Sequence, residues 1–128
     1  MFILRKKMTL CLATLVLSLV SAFDLFSSPK PGLQGVASWY SEDSPGVGEI
    51  TASGERFNDS QNTCASWRFN FGTNVRVRNL ANGKWVICRV NDRGPAKRLK
   101  RLIDLTPAAF RQIADLKQGL IQVGVTPV

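Results

Sequence analysis

Asn74-Val75-Arg76-Val77-Arg78-Asn79, Asn82-Gly83 and Trp85-Val86-Ile87-Cys88-Arg89-Val90 decide the fold of this chain. In the first segment Val75 and Val77 alternate with Arg76 and Arg78, the period-two pattern of a strand with one buried face. Asn-Gly suits a hairpin turn, and the second segment is apolar enough to return as the partner strand. The residues that follow, Asn91-Asp92-Arg93-Gly94-Pro95, break that strand, because glycine admits positive φ and proline removes a ladder donor. Asp92 therefore stands at a strand end, held by the sheet but open to a groove. An aspartate there either satisfies turn amides or works as an acid on a rigid support.

Outward from this hairpin the chain stays strand-rich. Gly35-Val36-Ala37-Ser38-Trp39-Tyr40 reads as a first strand, and Pro29, Pro31 and Gly32 mark residues 23–34 before it as a linker. Residues 41–48 form a loop with Pro45, Gly46 and Gly48, and residues 51–57 a turn-rich segment carrying Glu55. Leu102-Ile103-Asp104-Leu105 is a short strand. Thr106-Pro107 then supplies an N-cap and a proline at the first helical position. One helix follows, with Ala109, Phe110, Ile113 and Leu116 on its apolar side and Gly119 at its end. Residues 120–125 make the last strand. Short strands, many turns and one helix before the final strand predict a small, mostly β barrel, with residues 35–128 as one domain.

Arg5, Lys6 and Lys7 precede an uncharged, mostly apolar run, the pattern of a secretory signal, and Val20-Ser21-Ala22 offers short side chains at the cleavage site. Residues 1–22 are accordingly expected to be removed, with an uncleaved anchor as the alternative; the run is shorter than the ~20 residues that span a bilayer. Cleavage takes three of the 17 basic residues and none of the nine acidic ones, leaving a net charge of +5. An exported basic protein meets anionic wall polymers or headgroups rather than nucleic acid. Lys97, Arg98, Lys100 and Arg101 concentrate that charge, either as a binding patch or as a solvated loop. Cys64 and Cys88 remain as an even pair for an oxidising compartment, and a bridge between them is worth roughly 3 kcal/mol.

The chain has no histidine. That excludes imidazole-activated nucleophiles and imidazole bases, and with only two cysteines left once Cys11 goes with residues 1–22, no zinc site or other metal or cofactor is expected. Chemistry on this chain has to run on carboxylates.

In order along the chain stand Gly35-Val36-Ala37-Ser38-Trp39-Tyr40, Thr51-Ala52-Ser53-Gly54-Glu55, Phe71-Gly72-Thr73, Val75-Arg76-Val77, Asn79-Leu80, Asn82-Gly83, Asn91-Asp92-Arg93-Gly94-Pro95 and Ile103-Asp104-Leu105. Each motif is short, but their order and spacing resemble the rare lipoprotein A (RlpA) family of lytic transglycosylases from Gly35 to about Val125. The resemblance implies a six-stranded double-psi β-barrel. It also implies a place in the bacterial cell envelope, periplasmic or secreted, with peptidoglycan as partner; separately, the chain is expected to be a monomer with no stable membrane insertion once the signal is cleaved. The implied reaction cuts glycan strands between N-acetylmuramic acid and N-acetylglucosamine without water, leaving 1,6-anhydro ends. A non-catalytic wall-binding or wall-loosening module of expansin or barwin type is the alternative. The resemblance makes Asp92 the acid/base and Glu55 a second active-site carboxylate. Ser66 stands where many relatives carry an active-site histidine, Cys64-Ala65-Ser66 against Ala-Ala-His. Neither a lipobox cysteine nor a peptidoglycan-binding SPOR domain, common in relatives, shows in this sequence.

Glycosidic cleavage needs a proton for the leaving oxygen and stabilisation of an oxocarbenium-like centre. In the lytic version the sugar's own 6-hydroxyl attacks. One carboxyl can give and later collect the proton, and Asp92 suits this if burial raises its pKa while Arg93 points away or binds a substrate carboxylate. Glu55 can share a proton with Asp92. Ser66 can hydrogen-bond a sugar. Trp39 and Tyr40 offer a stacking surface, although on a strand only one of them faces the groove. Asp104 is expected to brace the site or cap amides.

Overall fold

The computed structural model describes residues 32–128; the expected leader, and the linker as far as residue 31, lie outside the described residues. Six strands close into a barrel: β1 (Leu33–Trp39), β2 (Thr63–Ala65), β3 (Asn74–Asn79), β4 (Trp85–Asp92), β5 (Ile103–Leu105) and β6 (Ile121–Pro127). Their order around the barrel is β1-β5-β2-β4-β3-β6. The β1–β5 and β2–β4 pairs are parallel and the rest antiparallel. Among the described residues one α-helix, α1 (Pro107–Arg111), precedes β6. This is the mostly β, six-stranded barrel expected from the sequence.

The alternation in β3 is the clearest link from sequence to packing. Val75 and Val77 are fully buried while Arg76 and Arg78 face out. Inside the barrel these valines meet Val86 and Val90 of β4 and Val123 and Val125 of β6, with Phe110 of α1 in the same cluster. Arg76 uses its outward position to lie 4.6 Å from the Trp85 ring centre. Gly35 is required where β1 crosses the chain before β5, because a Cβ there would come within 2.9 Å of the Leu102 Cβ.

Four details depart from the sequence reading, each for a tertiary reason. β1 starts at Leu33 rather than Gly35, since Leu33 and Gln34 pair with Val125 and Gly124. β4 continues through Asn91 and Asp92, because Ala65 of the unforeseen β2 pairs with Asp92 across a register shift. The hairpin turn is wider than Asn82-Gly83 alone: Gly83 N donates to Asn79 O and Asn79 N to Lys84 O, both at 2.8 Å.

The helix expected to run to Gly119 stops at Arg111 and gives way to a 3-10 turn at Leu116–Gln118. The Ile113 carbonyl, which a longer helix would offer to Lys117 N, instead accepts from Asn79 Nδ2 (2.8 Å) and Asn82 Nδ2 (2.9 Å). Lys117 N turns to Asp115 Oδ1 at 2.9 Å, an aspartate side chain competing with the helix as an N-cap.

Cys64 and Cys88 form the expected disulfide, with Cα atoms 6.0 Å apart. Both cysteines are buried and tie β2 to β4. Cys88→Ser should lower the unfolding free energy by about 3 kcal/mol, read as a shifted urea midpoint. Two thiols titrating in the native protein would overturn the bridge.

Candidate active site

Ala65 is the centre of the site, and the barrel topology makes it so. It pairs with Asp92 on one side and Asp104 on the other, so the two aspartates sit on strands flanking a three-residue strand. Two strand spacings separate their backbones, roughly 10 Å. A small residue between them leaves the space above it open. A cleft of about 480 Å³ lies there, lined by Trp39, Tyr40, Ala65, Asp92 and Asp104 and walled by residues 44–48 and 93–96.

Asp92 is the most firmly held group in this cleft. Its Oδ1 accepts from the backbone amides of Ala52 and Arg93, both at 2.9 Å, and its Oδ2 accepts from the Tyr40 hydroxyl at 3.2 Å. Burial, and then the nearby Asp92 carboxylate, push the Tyr40 hydroxyl far above its ordinary pKa, which keeps it a donor. The Tyr40 ring packs 4.7 Å from Phe57, so Tyr40 orients Asp92 rather than offering a stacking face. Alternation along β1 predicts that only one of Trp39 and Tyr40 reaches the groove, yet both do. Tyr40 lies one residue beyond the strand, where alternation no longer applies. Trp39 is half-buried, its Nε1 donating to Leu116 O at 3.0 Å.

Asp104 has the distinct electrostatics. Burial raises its pKa from 3.8 to about 6, against a lowering by the Ser38 hydroxyl and Arg101, with Asp92 adding to the rise. Ser38 Oγ donates to its Oδ1 at 2.8 Å, as the parallel register Ser38–Asp104 requires. A carboxyl raised to about 6 that lines a cleft has the properties wanted of a general-acid candidate.

Two sequence-based expectations need correcting, and of the two alternatives for Arg93 the structure takes the first, pointing away from Asp92. Glu55 does not share a proton with Asp92. Both its oxygens engage the Arg89 guanidinium, with Nη2 to Oε2 at 2.8 Å, it is absent from the cleft lining, and the Arg89 hydrogen bonds hold its pKa below the usual carboxylate range. Ser66 is fully buried, its hydroxyl donating to Leu102 O and accepting from Arg68 N, so burial closes it to a sugar. Arg93 lines the cleft wall through its backbone, but its guanidinium turns away from Asp92. It donates to the Ser66 and Phe69 carbonyls at 2.7 and 2.8 Å and stacks 3.9 Å from the Phe71 ring centre.

Glu55 still matters to the site through its loop. Gly54, at φ 91°, allows the turn in which Thr51 N donates to Glu55 O, and this turn presents Ala52 N to Asp92. Pinning Glu55 to Arg89 of β4 fixes that presentation. Glu55→Gln should therefore reduce turnover several-fold, far less than loss of a cleft aspartate, with the melting temperature little changed. A loss as large as that of Asp92→Asn would make Glu55 a reacting group. Ala52, Ser38 and Ala65 escaped sequence reasoning. The Thr51-Ala52-Ser53-Gly54-Glu55 turn was the signal for Ala52, but Ser38 and Ala65 become visible only through strand register.

Residues 33–125 match a family model described as lytic transglycolase. A probable endolytic peptidoglycan transglycosylase RlpA of Nostoc is 45% identical over 102 residues, covering 80% of this chain and 26% of the relative. Its Synechocystis counterpart is 42% identical over 114 residues, covering 88% and 34%. The endolytic peptidoglycan transglycosylase RlpA of Rickettsia felis is 41% identical, covering 71% and 40%. The chain thus spans well under half the length of these relatives. Among solved structures, a Streptomyces papain inhibitor superposes with a TM-score of 0.57 at 23% identity, covering 77% of this chain and 99% of that one. An expansin of Clavibacter michiganensis, solved with cellohexaose, does so at 0.57 and 20%, covering 74% and 49%. At such identities these two share the fold.

Proposed function

The chain belongs to the RlpA-type family of lytic transglycosylases built on the double-psi β-barrel, and from that membership we propose that it cuts peptidoglycan glycan strands endolytically. The bond is the one from N-acetylmuramic acid to N-acetylglucosamine, and the product ends in a 1,6-anhydro sugar. One observation carries this reading: two aspartates flank Ala65 in a single cleft, and burial pushes Asp104 up to about 6. A raised carboxyl beside a second carboxylate held by three donors fits an acid next to a stabilising partner.

Asp104 gives its proton to the glycosidic oxygen as the C1–O bond breaks. Asp92, with Tyr40 and Ala52 fixing its oxygens, faces the positive charge that develops at C1. The sugar's 6-hydroxyl oxygen then bonds to C1, and its proton passes to Asp92. Asp104 leaves the cycle ionised and Asp92 protonated; exchange with solvent restores both. No water is consumed. Trp39, the half-buried aromatic of the lining, supplies the surface for a pyranose face.

Digestion of purified peptidoglycan with mass spectrometry of the released fragments tests the proposal. Anhydro-ended fragments are expected. Fragments one water heavier would make the protein a hydrolase. Sedimentation with insoluble wall and no release would make it a binding module.

The same reading has the protein act as a monomer outside the cytoplasmic membrane. Arg5, Lys6 and Lys7 ahead of an apolar run support export, as does a disulfide suited to an oxidising compartment. The exported protein should begin at Phe23 by intact mass. Retention of residues 1–22 in a membrane fraction would overturn cleavage.

A further inference from the structure

A second cavity adjoins the cleft, and its chemistry differs. It measures about 530 Å³ and is lined by Trp67, Arg68, Lys97, Lys100 and Arg101 together with apolar groups of Leu33 and Leu102. Four cations converge there with no carboxylate in the lining, and none of them forms an ion pair among the described residues. Four like charges around one hollow raise a positive potential there, which attracts an anion.

Trp67 gives the hollow a second property. It is 48% exposed yet fixed: its Nε1 donates to Pro95 O at 2.7 Å. The Lys97 ammonium lies 4.6 Å from the ring centre. Aromatic surface and cationic charge are thus presented side by side, the ring suited to a pyranose face and the ammonium to an acidic substituent. Pro95 ties this hollow to the first, since it also walls the cleft that holds Asp92 and Asp104. A strand lying across the cleft and past Pro95 meets Trp67 next.

We propose that the hollow formed by Trp67, Arg68, Lys97, Lys100 and Arg101 is a remote subsite for a carboxylate-bearing sugar of the bound glycan strand. The identity of the strand rests on the function proposed above; the acidic-saccharide site does not. N-acetylmuramic acid meets the requirement, because its 3-O-lactyl group ends in a carboxyl.

Calorimetry with soluble glycan oligosaccharides carrying free lactyl carboxylates tests this, beside the same oligosaccharides with those carboxyls amidated. Lys97→Gln/Lys100→Gln should weaken binding of the acidic strand about tenfold at low salt and converge on wild type at high salt. The amidated strand should bind wild type and variant equally. Trp67→Ala should weaken both strands, and Trp67→Phe should recover most of that loss for each. Equal binding of acidic and amidated strands by the wild type would overturn the subsite, as would an unaltered affinity in the lysine variant. If a phosphate-bearing wall polymer displaces the acidic strand at lower concentration than that strand itself saturates, the carboxylate assignment fails in favour of phosphate. Anhydro product, followed separately, keeps the two proposals apart: charge-dependent binding without product leaves the subsite standing and removes the cleavage reaction.

Discussion

Asp104→Asn should lose anhydro product by two or more orders of magnitude while making the protein harder to unfold at neutral pH. Removal of a positioned general acid costs about 10²- to 10⁴-fold in rate. In the wild type, the value of about 6 for Asp104 gives log kcat/KM a slope approaching −1 above that pH, because only the protonated carboxyl donates. The stability effect follows from the same shift. Below pH 3.8 the carboxyl is protonated in folded and unfolded chains alike. Between 3.8 and about 6 the unfolded chain has released its proton and the folded chain has not, so stability falls as pH rises, then levels off. The full loss is up to about 3 kcal/mol. Asparagine cannot ionise, so the variant escapes this loss, and its thermal midpoint should exceed that of the wild type at pH 7.5 but not at pH 3.5. Anhydro product from the variant at near wild-type rate would remove Asp104 from the proton pathway.

Sequence reading gave Asp104 a supporting role because its environment is set by distant strands. Inside Leu102-Ile103-Asp104-Leu105 an acidic residue looks like a brace, and the Ser38 hydrogen bond partly makes it one. Its burial is set by β1 and β2 closing around β5, which no local pattern encodes. β2 was missed for a related reason: three buried residues have no period to detect. The β3–β4 hairpin, in contrast, was legible because alternation, turn chemistry and β-propensity agree over Asn74–Asn79 and Trp85–Asp92. Glu55 and Arg93 show the limit of motif reading. Their positions were evident, but each charge is taken up by a neighbour, Arg89 for one and the Ser66 and Phe69 carbonyls for the other. Pairings of that kind depend on long-range geometry.

Asp92→Asn is the second decisive substitution, and its structural neutrality makes it informative. The amide oxygen of asparagine can keep the Ala52 and Arg93 amides that Oδ1 now accepts, and its NH₂ then meets Tyr40, whose hydroxyl can turn to accept. The shape and contacts of the cleft survive while the negative charge is lost. Product should fall at least 10²-fold, since neither the charge at C1 nor the 6-hydroxyl proton finds its partner. Sedimentation with insoluble peptidoglycan should stay near the wild-type level. Tyr40→Phe, which removes one of three donors to the same carboxylate, should cost less than Asp92→Asn and leave the alkaline limb set by Asp104 near its wild-type position. The double variant Asp92→Asn/Asp104→Asn separates one proton cycle from two independent contributions. Groups that act as a unit are non-additive, so the double variant should be about as inactive as the weaker single variant. Losses that multiply would mean that the two aspartates act separately, and wild-type turnover by Asp92→Asn would mean that the proton of the 6-hydroxyl goes elsewhere.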